Sequence, residues 1–143
     1  IDIDIVLNKN DITVFLKKLK KTGFVFYDKE CESKAREFGS FQIKINGFHI
    51  DFIIASTELE KEAIKRKKAI NVHGIKTNLP SPEDMLLLKI IPGRPIDIFD
   101  AENIARRYSG KLNKKYLLDW AQKLSDESED LRVYNEVQRI LKL

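Results

Sequence analysis

Asn46-Gly47 lies between two runs, Phe38–Ile45 and Phe48–Ile54, that are rich in β-branched and aromatic residues. An Asn-Gly pair suits the left-handed backbone of a two-residue type I′ turn, so the spacing predicts an antiparallel hairpin. The second run holds one residue out of keeping with it. Asp51 stands inside Phe48-His49-Ile50-Asp51-Phe52-Ile53-Ile54, where a carboxylate costs several kcal/mol unless it is paired or binds a cation.

The start of the chain adds two more acids. Ile1-Asp2-Ile3-Asp4-Ile5 alternates, which predicts a strand with the isoleucines on one face and Asp2 and Asp4 on the other. Like charges that close raise one pKa or call for a cation. With the hairpin beside this strand, Asp2, Asp4 and Asp51 converge at one sheet edge. An all-oxygen cluster suits Mg²⁺ or Mn²⁺. Spacing alone leaves a second reading open, in which Asp2 and Asp4 face solvent and Asp51 pairs with a lysine.

Between these strands, Ile12, Phe15, Leu16 and Leu19 fall at helical spacing, and Gly23 ends that helix. Phe24–Tyr27 reads as a short strand and residues 28–37 as a charged connection containing Cys31. Glu58–Lys68 reads as a charged helix, and residues 70–79 as extended segments paired around His73-Gly74. Ser81 then caps a helix, with Pro82 at its first position and Asp84 at the capping-box position. That helix runs to Pro92-Gly93. Further helices are predicted from about Pro95 to Tyr108, from Asn113 to Leu124, and from Asp126 onward with Ser125 as cap. Trp120 joins Leu117, Ala121 and Leu124 in a core stripe. An αβ half followed by a helical half argues for an α+β fold.

Composition sets outer limits. The chain has 143 residues, 26 Lys+Arg against 22 Asp+Glu and one Cys. One cysteine with two histidines builds neither a disulfide nor a zinc finger. No apolar run approaches the ~18 residues of a membrane span, so a cytoplasmic protein without membrane contact is expected. The net charge of +4 is compatible with a polyanionic partner. The basic clusters are Lys17–Lys21, Lys61–Lys68 and Arg106–Lys115.

Asp2-Ile-Asp4 followed by a helix and a later strand acid, Asp51, resembles the nucleotidyltransferase fold of the DNA polymerase beta superfamily. The run from Leu79 through Lys89, Gly93-Arg94 and Asp97 to Asp100 is similar to a segment of predicted minimal nucleotidyltransferases and AbiEii-type toxins. The resemblance covers about residues 1–107. It implies a mixed-sheet nucleotidyltransferase core over 1–80, followed by helices over 81–143 packed on it. It implies Asp2, Asp4 and Asp51 as catalytic metal ligands for Mg²⁺ or Mn²⁺, with Asp51 also the base on an acceptor hydroxyl. Lys89 and Arg94 match basic positions that reach nucleotide phosphates or orient the acids, and Asp97 and Asp100 match an acidic pair that fixes those bases.

The activity implied is transfer of a nucleoside monophosphate from an NTP to a hydroxyl on tRNA, a protein or a small molecule. The system implied is a toxin–antitoxin pair, with a toxin or antitoxin as partner. The family's Gly-Ser phosphate-binding element, which precedes the acid pair in the family, is not present in this sequence. The alternatives are a non-catalytic interaction module that keeps the fold, or an RNA-binding protein. His49, on the face of Asp51, is either an assistant at the site or a half-buried hydrogen-bonded residue. His73 is expected in a turn.

Overall fold

A computed structural model describes residues 3–142. Among the described residues, seven α-helices and five strands in two small sheets give an α+β fold. Its contacts divide it after Ile64 into two compact units.

The first unit begins with β1 (Ile3–Asn8), a 3₁₀ turn (Lys9–Asp11) and α1 (Ile12–Lys21). It continues through α2 (Asp28–Phe38), β2 (Ser40–Ile45) and β3 (Phe48–Ala55), then enters α3 (Glu58–Arg66), which spans the division. The sheet order is β1-β3-β2, with β1 parallel and β2 antiparallel to β3. The hairpin forms as the sequence demands, with φ of 50° at Asn46 and 86° at Gly47. Ile12 and Leu16 of α1 and Cys31 and Ala35 of α2 are buried in one core with Phe41, Ile43, Phe52 and Ile54 of the sheet. Phe52 anchors that core, stacked on Phe41 at 4.8 Å between ring centroids and tilted against Phe15 at 5.3 Å. Strand alternation then sends Asp4, Gln42, His49 and Asp51 to the opposite face.

Two expectations fail here. Phe24–Tyr27 is not a strand, and Val25 and Tyr27 are 93% and 80% exposed. The charged connection after it is the helix α2. Cys31 and Ala35 make its buried side, while Glu30–Lys34 and Glu32–Arg36 ion pairs, one turn apart, fill the outer side. Gly39, at φ 71°, ends it. Cys31 is therefore a free core thiol, and its burial raises its pKa.

The second unit opens on a hairpin, β4 (Lys68–Val72) and β5 (Ile75–Leu79), followed by α4 (Pro82–Ile90), α5 (Pro95–Arg107), α6 (Lys114–Ser128) and α7 (Arg132–Ile140). His73 is a turn residue at φ 49°. Leu86, Leu87, Ile90, Ala101, Leu117, Ala121, Val137 and Ile140 are almost wholly buried. Trp120 is only half-buried beside its stripe partners, with Lys123 Nζ 4.9 Å from its ring centre. The last helix break differs from expectation. Ser125 is not a cap but lies inside α6, buried, and its Oγ accepts the Tyr134 N–H at 3.2 Å. The break falls at Glu129, in the left-handed region, with Asp130 accepting the Arg132 N–H.

Gly93 makes the turn between α4 and α5 at φ 69°. Arg132, from the start of α7, donates to the carbonyls of Ile90 and Ile91 at 3.0 and 2.7 Å, closing the end of α4. A Cβ on Gly93 would stand 2.8 Å from Arg132 Nη1.

Candidate functional site

The parallel pairing of β1 and β3 sets Asp4 directly beside Asp51, with Ile3 beside Ile50 and Ile5 beside Phe52. Register partners share a face, so these two residues stand side by side on neighbouring strands, whose backbones run about 4.8 Å apart. The same face continues into β2, where Gln42 is the partner of Asp51. Asp2 lies outside the described residues.

Asp51 is half-buried, and its partner is not a lysine. Gln42 Nε2 donates to Asp51 Oδ1 at 2.7 Å, and Gln42 Oε1 lies 2.7 Å from His49 Nδ1. With the amide nitrogen committed to Asp51, the oxygen accepts from His49, so Nδ1 carries the ring proton. Asp51 thus meets a neutral donor on one side and a second carboxylate on the other. Lys44, the register partner of His49, puts a cation on the same face.

Gln42 escaped the sequence reading although its signal was available. A two-residue turn at Asn46-Gly47 pairs Ile45 with Phe48, and counting outward pairs Gln42 with Asp51.

The donor set is carboxylate oxygen, which fits a hard divalent cation. Two such residues, Asp4 and Asp51, fall in the described part of the face. Among the described residues there is no group of three or more His, Cys, Asp or Glu placed to share an ion.

Lys89, Arg94, Asp97 and Asp100 belong to the second unit, where α4 and α5 bring them together. Lys89 Nζ donates to Asp100 Oδ2 at 2.9 Å and lies 3.6 Å from Asp97 Oδ1. Arg94 Nε donates to Asp97 Oδ2. Asp97 is the buried member, at 3% exposure. The Arg94 hydrogen bond lowers its pKa, and the Asp100 hydrogen bond raises that of Lys89. The acidic pair therefore holds both bases, and the Pro92-Gly93 turn lets α5 return alongside α4.

A second polar cluster in this unit went unnoticed in the sequence. Asp84 is completely buried. Its Oδ2 accepts from Arg66 Nε at 3.0 Å and Ser81 Oγ at 2.6 Å, and its Oδ1 accepts from Tyr116 OH at 2.5 Å. Arg66 stacks on the Tyr116 ring, 3.9 Å from its centre. Neighbouring Glu83 accepts the Asn113 N–H at 2.9 Å. Ser81 caps α4 as expected, through the Asp84 N–H, but the Asp84 side chain turns inward to Arg66 and Tyr116.

Comparison of the chain with protein-family models, with curated proteins and with solved structures finds no match. No described helix is long and apolar enough to cross a membrane.

Proposed function

We propose that the first unit is the core of a metal-dependent nucleotidyltransferase-like protein. The observation that carries this reading is the placement of Asp4 beside Asp51, at one register on neighbouring parallel strands, with the neutral Gln42 amide as the hydrogen-bond donor to Asp51. Asp4 and Asp51, with Asp2, are the residues that would hold Mg²⁺ or Mn²⁺, which when bound takes up charge on the phosphate oxygens. Asp51 has a second role. Gln42 occupies its Oδ1, and its other oxygen takes the proton of the acceptor hydroxyl. The hydroxyl oxygen then forms its bond to the α-phosphorus, the bond from that phosphorus to the β-phosphate bridge breaks, and pyrophosphate leaves. Lys89 and Arg94 enter as bases held in fixed orientations by Asp97 and Asp100. A nucleotidyltransferase fold, the cytoplasm as its place and a toxin–antitoxin setting belong to the same proposal.

The test is incubation of the protein with α-labelled NTPs, Mg²⁺ or Mn²⁺ and a pool of tRNA and protein acceptors. Label should pass to an acceptor and pyrophosphate should appear, and Asp51→Asn should abolish both. Transfer that survives Asp51→Asn, or no transfer from any NTP, refutes the assignment.

One observation favours a second reading, a non-catalytic interaction module. The Asp51–Gln42–His49 chain satisfies Asp51 Oδ1 and both polar ends of Gln42 without any ligand. Unchanged thermal stability with and without divalent ions would support it.

A further inference from the structure

The β4–β5 hairpin is a narrow two-stranded ribbon, and its pairing sorts its side chains sharply. Ile70, Val72, Ile75 and Leu79 lie on one face with Lys68 and Thr77, while Ala69, Asn71, Lys76 and Asn78 lie on the other. The second face thus carries amide and ammonium groups and no bulky apolar residue. Charge is sorted as well. Residues 63–82 contain Lys65, Arg66, Lys67, Lys68 and Lys76 and not one Asp or Glu. That stretch of 20 residues holds five positive charges in a chain whose net charge is +4.

Each of the other basic clusters contains at least one base paired with an acid. Lys20 pairs with Asp28, Arg106 with Glu102 and Lys115 with Asp119. Within 63–82, Arg66 is committed to Asp84. Lys67, Lys68 and Lys76 are exposed and have no acidic partner among the described residues.

We propose that the β4–β5 ribbon is a DNA-binding arm, which lays its Asn71–Lys76–Asn78 face in the major groove of duplex DNA while Lys67 and Lys68 contact phosphates at its base. The major groove of B-form DNA is about 12 Å wide and admits a two-stranded ribbon, whereas the A-form major groove of RNA is too deep and narrow for side chains to read. Five paired residues at about 3.4 Å each give an arm about 17 Å long. Lys76 and Asn78 are suited to this face, since asparagine pairs with adenine edges and lysine with guanine edges, while Asn71 shapes the turn, its Oδ1 accepting the Gly74 N–H at 2.7 Å. This inference stands apart from the nucleotidyl-transfer reading, because it uses neither acid of the first unit.

The experiment is fluorescence anisotropy of the whole protein with a 20-base-pair DNA duplex, in EDTA and without NTP, from 50 to 200 mM salt. Arms with the same sequence as duplex RNA and as single-stranded DNA accompany it. The duplex DNA should bind most tightly. Combining Lys67→Gln, Lys68→Gln and Lys76→Gln should weaken binding. It should also cut the salt slope by about 2.7, so that the affinity lost over this fourfold salt range shrinks ~40-fold. The charge-matched control, Lys17→Gln with Lys18→Gln and Lys21→Gln on α1, should leave the slope within about one unit of the unsubstituted protein. The inference is overturned if the control loses as much as the ribbon variant, if duplex RNA binds as tightly as duplex DNA, or if no DNA binds, as expected were the ribbon a protein-docking strand pair. Transfer activity is measured separately, so loss of either result leaves the other standing.

Discussion

Asp51 and Asp84 both interrupt apolar stretches of sequence, yet the two units treat them in opposite ways. Asp84 is enclosed and receives three side-chain donors, one of them the Arg66 guanidinium. Its charge is answered and both its oxygens are used. Asp51 is half-buried, receives one neutral amide and stands beside another carboxylate. A charge fully matched by its surroundings serves the fold, whereas a charge left unmatched on an open sheet face is available to a ligand. Four sets of substitutions can break or sharpen that contrast.

The largest effect is expected at Asp84. Asp84→Ala leaves Arg66, Ser81 and Tyr116 without their shared acceptor. Breaking a buried pair by removing one partner costs about 3–5 kcal/mol. Arg66 keeps a third of its side chain exposed, so the lower end applies, about 3 kcal/mol by urea denaturation. A loss below about 1 kcal/mol would show that Asp84 is no more committed than Asp51.

Asp51 should respond in the other direction. In EDTA, Asp51→Asn removes one of two facing like charges while its remaining oxygen still accepts from Gln42, which should stabilise the fold by about 0.2–1 kcal/mol. The unsubstituted protein should gain about 2.7 kcal/mol when Mg²⁺ or Mn²⁺ reaches ~100 times its Kd, and Asp51→Asn should lose most of that gain. Melting curves in EDTA, Mg²⁺ and Mn²⁺ measure both effects, with Glu58→Gln as a surface control. Identical melts for the unsubstituted protein in all three would falsify a working metal site.

Gly93 tests the committed unit at its turn. Gly93→Ala must hold a side chain at φ 69° and displace Arg132 from the carbonyls that end α4. A non-glycine residue in that region costs about 1–2 kcal/mol. Arg132→Ala in the same background separates the two contributions. If Arg132 is already displaced, removing it adds less than it does in the unsubstituted protein.

The sequence carried these features unevenly. The ion-paired bases around Asp97 were expected only from the family resemblance, whereas the hairpin at Asn46-Gly47 and the helix cap at Ser81 rest on local chemistry, within a turn, and could be read directly. Helix α2 could not, because its buried side is reduced to Cys31 and Ala35 and most of the rest is charged. Its i,i+4 ion pairs, not its hydrophobicity, were the signal. Ser125 misled because a serine followed by acids has the composition of a cap, whereas here its hydroxyl serves a backbone N–H of the next helix. The Arg66–Asp84–Tyr116 cluster joins residues 18 and 32 positions apart, a relation that no local pattern encodes. The pairing of Asp4 with Asp51 depends on the register of two strands far apart in the chain, which hydrophobic alternation constrains only to the correct face.

The smallest effect concerns the ion pairs of α4 and α5, which lie between the two extremes because their charges are matched but partly wet. The hydrogen bond to Asp100 raises the Lys89 pKa above its ordinary 10.5. A folded value above the unfolded one adds stability that is complete below the unfolded pKa and disappears as pH rises through the folded pKa. Asp97 acts with the opposite sign. The Arg94 hydrogen bond lowers its pKa below 3.8, so its contribution is present above the unfolded value and is lost as pH falls through the folded one. Stability should therefore decline at both ends, in the alkaline limb through Lys89 and in the acid limb through Asp97. The Lys89 side chain is 36% exposed, which holds its share below about 1 kcal/mol. Denaturation series from pH 3 to 11 should show Lys89→Gln flattening mainly the alkaline limb and Asp97→Asn mainly the acid limb, each with a smaller effect on the other because the two groups are 3.6 Å apart. Lys34→Gln is the control, because Lys34 also has a raised pKa, from an exposed pair with Glu30 on α2. An alkaline limb that changes as much with Lys34→Gln as with Lys89→Gln would place the Lys89 cluster among ordinary surface pairs and leave Asp84 as the second unit's one committed acid.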